Sequence, residues 1–173
     1  MTYRKSIPIF PDNLGKMVPG DIICGVDPGF ARLGYAFIRQ DKHPVLVESG
    51  CIETQPGEEQ AARIHTVVKE LENRIKIFNP KRIALERIFF AKNQKTALKI
   101  AEIRGALLLT ASSLGLEIKE YAPNEIKLAV TGSGAADKLA IRKMIQLILK
   151  IGAMPKLDDE TDAIAVALCS LYS

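Results

Sequence analysis

Tryptophan is absent, aromatic residues make up 6% of the 173-residue chain, and histidine occurs only at His43 and His65. The cysteines number three, Cys24, Cys51 and Cys169, too few and too scattered for the spacing of a zinc site. An odd set of cysteines in apolar segments reads as buried thiols in a reducing compartment, not as disulfides. That points to the cytoplasm, with an organelle as the other reducing location. No stretch reaches the ~18 consecutive apolar residues of a membrane span. The opening "MTYRKSIPIFPDNLGKMVPG" has no continuous apolar segment, which reads against a secretory signal. Internal repeats and low-complexity tracts are lacking too, which excludes a solenoid. What is present, 47% hydrophobic and 25% charged residues, suits one globular domain with an ample core. The net charge of +4 is compatible with nucleic acid without specifying it.

Residues 1–20 carry three prolines and no sustained periodicity, so they read as an N-terminal extension to a domain at 21–173. A flexible tail is preferred over a basic arm (Arg4, Lys5, Lys16) or an added edge strand at Ile7–Phe10. Three strands are expected at Ile22–Val26, Gly34–Arg39 and Val45–Glu53, joined as an antiparallel meander. Residues 58–78 place Ala61, Ile64, Val68, Leu71, Ile75 and Phe78 at helical spacing, and Asn79-Pro80 ends that helix. "RIALERIF" is a strand with Ile83 and Leu85 on one face and Arg82, Ala84 and Glu86 on the other. The helix at 94–114 is apolar beyond a single stripe, which calls for cover on two sides. "EIKEYA" is a fifth strand. Pro123 opens a short helix, "TGSGAA" is a loop, and helices follow at 137–151 and about 158–171.

A meander followed by βα crossovers implies an α/β fold: a mixed five-stranded sheet with helices on both faces. Right-handed crossovers allow the fourth strand to lie parallel to the first. Asp27 and Glu86 then meet at one carboxyl-end rim, where open α/β sheets bind ligands.

Each carboxylate has a bland reading. Asp27-Pro28-Gly29 is good turn chemistry. Glu86 could pair with Arg87 or Arg82, although adjacent strand residues face opposite ways. In "LDDETDAIAVALC", Asp159 could cap the helix with Asp162 at its third position. Against this, Asp159 and Asp162 share a helix face, and Asp162 lies on the side continued by Ala165, Val166 and Cys169, which should meet the sheet. Four carboxylates without a His or Cys set suit hard cations, Mg²⁺ or Mn²⁺, and the two-metal chemistry of phosphodiester hydrolysis.

At these residues the chain resembles the RuvC family of Holliday-junction resolvases, within the RNase H-like superfamily. The stretches that carry the resemblance are "GVDPGFARLGYA", "ALERIFFAKN", "TALKIAEIRGALLLTA", "EYAPNEIKLAVTGSGAADK" and "LDDETDAIAVAL". It implies an RNase H-like fold and a homodimer that binds four-way DNA junctions. The implied activity is a crossover junction endodeoxyribonuclease of recombination and repair, making paired nicks with Mg²⁺, Mn²⁺ able to substitute, two ions per site. Asp27, Glu86, Asp159 and Asp162 match the family's acidic catalytic and metal-binding positions, and Asp158 does not. Phe89 matches an aromatic that stacks at the junction centre, assisted by Phe90. Lys92, Lys127 and Lys138 fall at positions near the DNA. A branch-migration helicase complex is the further implied partner.

The chain departs from the family pattern in the extension, in Arg87 (usually neutral or acidic) and in Ala135 (usually arginine), so cleavage preference is where it would differ. The alternatives weighed are an RNase H-like nuclease for RNA or other branched DNA, a junction-binding protein that does not cut, and an actin-like ATP-binding domain. The last needs more chain than this. "TGSGAADK" also lacks the P-loop pattern.

Overall fold

The computed structural model describes residues 17–29, 31–87 and 94–173, with side chains in the last segment from residue 97. The described elements run β1 (Ile22–Pro28), β2 (Arg32–Arg39), β3 (Val45–Glu53), α1 (Gln60–Phe78), β4 (Arg82–Glu86), α2 (Gln94–Ser113), β5 (Glu117–Tyr121), α3 (Pro123–Thr131), α4 (Lys138–Leu149) and α5 (Asp158–Tyr172). The sheet order is β3-β2-β1-β4-β5. β1, β2 and β3 are antiparallel neighbours, whereas β1·β4 and β4·β5 are parallel. This is the expected mixed sheet, with the fourth strand beside the first.

Helices cover both faces. Cys24, Val26, Ile83 and Leu85 pack with Val67 and Leu71 of α1 and Ile103 and Leu107 of α2. Ile23, Ala36, Ile38 and Ala84 pack on the opposite face with α3, α4 and the almost wholly buried α5. Strand alternation therefore assigns Ile23, Gly25 and Asp27 of β1, and Ala84 and Glu86 of β4, to the α5 side.

The local chemistry fits these boundaries. Asn79 takes the left-handed conformation (φ 46°) and returns its N–H to Ile75 O, closing α1 as an αL cap does. Pro123 opens α3, and the Glu125 carboxylate accepts the Ala122 N–H at 2.6 Å. Asp137 caps α4 by accepting from Ala140 N. Residues 17–20, grouped with the extension by sequence, are joined to the domain. Gly20 N–H donates to Gln40 O (2.7 Å), and Met17 packs on the α5-side core.

One buried ion pair braces the amino end of β4. Arg82, 1% exposed, donates to Glu117 Oε2 (2.9 Å) and to Ser170 O (2.8 Å), joining β4, β5 and α5. Burying such a charge is costly unless it is paired and hydrogen-bonded, and here it is both. Among the cysteines, Cys24 and Cys169 are buried as expected, but Cys51 is only half-buried; all three are free thiols.

Candidate active site

The registers bring two strand ends together. Val26 lies opposite Leu85 in the parallel β1·β4 pair, so the next residues, Asp27 and Glu86, stand side by side on the α5 face. Asp27 and Pro28 still belong to β1, two residues beyond the expected strand end, and the chain makes a tight turn just past them, with Gly29 N–H donating to Asp27 O at 3.1 Å. The turn and the site thus use different atoms of the same residue.

The third and fourth carboxylates come from α5. Its N-cap is Leu157, without a side-chain cap bond, so Asp159 does not cap the helix and Asp162 lies a turn inside it. Asp159 Oδ2 instead accepts from Arg32 Nε at 3.1 Å. Asp162 lines a cleft of about 180 Å³ together with Glu86, Lys127 and Lys138, over an apolar floor that includes Ile126, Ile141 and Val166. Asp158 faces the exposed side and pairs with Lys138 (3.0 Å).

Two strand glycines let α5 come so close. A Cβ at Gly25 would stand 2.3 Å from Ala163 O, and one at Gly34 would stand 1.9 Å from Asp159 O. Gly34 is the β2 partner of Asp27. Backbone of α5 therefore rests directly on backbone of β1 and β2, beside the first carboxylate. Sequence reading passed over both glycines, although glycine inside a strand is a signal of close backbone approach. Arg32 was missed as well; nothing local distinguishes it from an ordinary exposed arginine.

The electrostatics are those of crowded acids. Burial, then Asp162, Glu86 and Asp159, pushes Asp27 up to about 7, with Lys138 opposing. Glu86 is raised by burial and by Asp162, and Lys127 acts against this. Asp162 is raised chiefly by burial, with Lys138 pulling down and Asp158 and Asp159 pushing up. Neither arginine near Glu86 in sequence serves it. Arg82 is committed to Glu117, and Arg87 lies 3.9 Å from Glu125. Among the described residues, no three His, Cys, Asp or Glu side chains already close around a common point. The donor set nevertheless fits a hard divalent cation: every member is a carboxylate oxygen, and a cation would relieve the repulsion that raises the three acids.

Of the expected DNA-binding residues, Lys127 and Lys138 line the cleft. Phe89, Phe90 and Lys92 lie outside the described residues.

A sequence model of the family "Crossover junction endodeoxyribonuclease RuvC" matches residues 23–170. The protein of that name from Caldanaerobacter subterraneus subsp. tengcongensis is 39% identical over 153 residues, covering 87% of this chain and 92% of the relative. That of Brachyspira hyodysenteriae is 43% identical over 148 residues, 85% of this chain and 91% of the relative. Among solved structures, Thermus thermophilus RuvC in complex with Holliday junction substrate superposes with a TM-score of 0.83 at 27% identity, covering 88% of this chain and 93% of that one.

Proposed function

The chain belongs to the RuvC family of crossover junction endodeoxyribonucleases, and from that premise we propose that it resolves Holliday junctions by paired symmetric nicks in recombination and repair. The observation that carries this reading is the crowding of Asp162, Glu86 and Asp159 around Asp27 at the sheet rim, next to a cleft that Lys127 and Lys138 line. Asp27, Glu86, Asp159 and Asp162 would hold Mg²⁺, two ions per site, with Mn²⁺ as a substitute. Bound there, Mg²⁺ would supply Lewis-acid stabilisation of phosphoryl charge and an acidified attacking water.

The chain's own residues do the rest. Lys127 and Lys138 offset phosphate charge next to Glu86 and Asp162. The apolar floor of the cleft keeps bulk water from one side of the reacting phosphate. Arg32 and Asp159 hold each other, so the Asp159 carboxylate is oriented before a cation arrives. Phe89 and Phe90 would stack at the junction centre and Lys92 would contact backbone. The products would carry a 5′-phosphate and a 3′-hydroxyl, which a ligase can join.

Two nicks related by symmetry call for a C₂ dimer, and α2 supports one. Leu98 and Leu109 are 64% and 69% exposed on it, on the side turned away from Ile103 and Leu107. Leu109→Asp should convert dimers to monomers in sedimentation at micromolar concentration, with the fold retained; a dimer unaffected by this change places the interface elsewhere. A branch-migration helicase is the proposed cellular partner. No helix among the described residues is long and apolar enough to cross a membrane; the proposed location is the cytoplasm.

The test is cleavage of a synthetic four-way junction beside linear duplex of the same sequence. With Mg²⁺ the junction should be nicked symmetrically and the duplex left whole; with Ca²⁺ it should be bound and uncut. Binding should weaken steeply with salt, because lysine–phosphate contacts release counterions. Equal cutting of both substrates would overturn the resolvase reading.

A further inference from the structure

Glu86 is the last residue of β4, and the peptide unit that follows it is held at both ends. Its N–H, on Arg87, donates to Tyr121 O of β5 at 2.8 Å. Its C=O, on Glu86, accepts from Arg104 Nη1 of α2 at 2.7 Å. The other arm of the same guanidinium grips the Glu120 carboxylate. Arg104 is only 12% exposed, so it bridges a helix and two strands from a nearly buried position. Arginine suits this task because its planar fork presents several donors in fixed geometry.

We propose that Arg104 is a positioning residue for cleavage: by fixing the Glu86–Arg87 peptide plane, it sets the direction in which the Glu86 carboxylate enters the site. Locking that plane restrains ψ of Glu86, one of the two backbone rotations about the Cα that carries its side chain. The helix that supplies Arg104 is the one whose opposite side exposes Leu98 and Leu109. A shift of α2 on pairing or on junction engagement would therefore reach Glu86 through one guanidinium. Arg82 braces the other end of β4 from within the core; Arg104 does so at the site. The inference rests on the reading of Glu86 as a metal ligand, and its test separates the two.

Arg104→Gln and Glu120→Gln are compared with wild type. Glu120→Gln removes the ion pair but leaves the bond to Glu86 O, so it should cut at near wild-type rate. Arg104→Gln should lower the single-turnover cleavage rate by about 10–100-fold, the usual effect of removing a group that orients a metal ligand. Its junction affinity in Ca²⁺ should be unchanged. A second readout needs no cutting: the rise in Tm on adding Ca²⁺ should shrink in Arg104→Gln and persist in Glu120→Gln. If Arg104→Gln does not fold, Arg104→Lys, which keeps the charge for Glu120 but not the fork, should show the same slow cutting and reduced Ca²⁺ shift. Wild-type rates in a folded Arg104 variant, equal losses in both single variants, or a loss wholly explained by weaker binding would each overturn the proposal. A wild-type protein that cuts no junction would sink the nuclease reading alone, because the Ca²⁺ shift still reports on Arg104.

Discussion

Asp27→Asn is expected to abolish junction cleavage while junction binding in Ca²⁺ persists. The substitution keeps the size and the turn, whose bond uses the backbone carbonyl, and removes only the charge. The loss should be at least about 10²–10³-fold, the scale for deleting one preorganised electrostatic group. The same change should stabilise the protein in EDTA. Asp27 is held up to about 7 in the fold, whereas an unfolded aspartate ionises near its ordinary value of ~3.9. Between those values the folded chain binds the extra proton, so stability falls as pH rises through that window. The contribution is full below about 4 and gone above about 7. At about 1.4 kcal/mol per pH unit the scale of this penalty is on the order of 4 kcal/mol. Thermal unfolding from pH 4 to 8 should therefore show a steeper decline for wild type than for Asp27→Asn, with a residual slope from Glu86 and Asp162, which are raised in the same direction. Mg²⁺ should raise Tm in wild type more than in the variant, because a ligand that binds only the folded state stabilises it. Unimpaired cutting by Asp27→Asn would leave that residue as a turn former and dissolve the metal site.

Gly34→Ala should be nearly as damaging to cleavage, although the residue carries no chemistry. Its new Cβ would lie 1.9 Å from Asp159 O and 2.4 Å from Asp159 C. The Cβ is fixed in place by the β2 backbone and its neighbour is α5 backbone, so no rotamer relieves the clash. The amino end of α5 must retreat, taking Asp159 and Asp162 with it. A displacement of about 1 Å at a catalytic geometry can cost about 10²-fold, and overpacking of this kind typically costs about 1–3 kcal/mol. Gly152→Ala is the control, since nothing lies within 4 Å of its added Cβ. Cleavage assays and thermal unfolding of both variants decide the matter. A Gly34→Ala protein that cuts at the wild-type rate would show that α5 is not held in place by this contact.

The elements with strong local signals were legible. β3 spans Val45–Glu53, as alternation and flanking turns indicated. α1 ends at Asn79, where the Asn-Pro pair placed it. The β1·β4 adjacency followed from crossover handedness, and with it the meeting of Asp27 and Glu86. What escaped was set by tertiary partners. Asp159 as a helix cap was a sound local reading, but Arg32, 127 residues away in sequence, takes its carboxylate. Gly25 and Gly34 each carry a plain signal of close approach, yet their partner is a helix more than 120 positions later. Arg104 reads as a solvated helix charge until the strand end it serves is in view.

The contact between α5 and the sheet also bears on mechanical response. Where Gly25 and Gly34 meet Ala163, Asp159 and Ala167, atoms of rigid peptide groups touch across the layer. Hydrostatic pressure acts on proteins by eliminating internal voids, and close-packed interiors have low compressibility. At Gly25 and Gly34 there is no room even for a methyl group between the strands and α5, so no long side chain bends there. The separation between the strand-end carboxylate Asp27 and the helical pair Asp159 and Asp162 therefore behaves as a hard-wall distance. Compression should close the surface cleft that holds Lys127 and Lys138 long before it alters the spacing of Asp27 from the acids of α5.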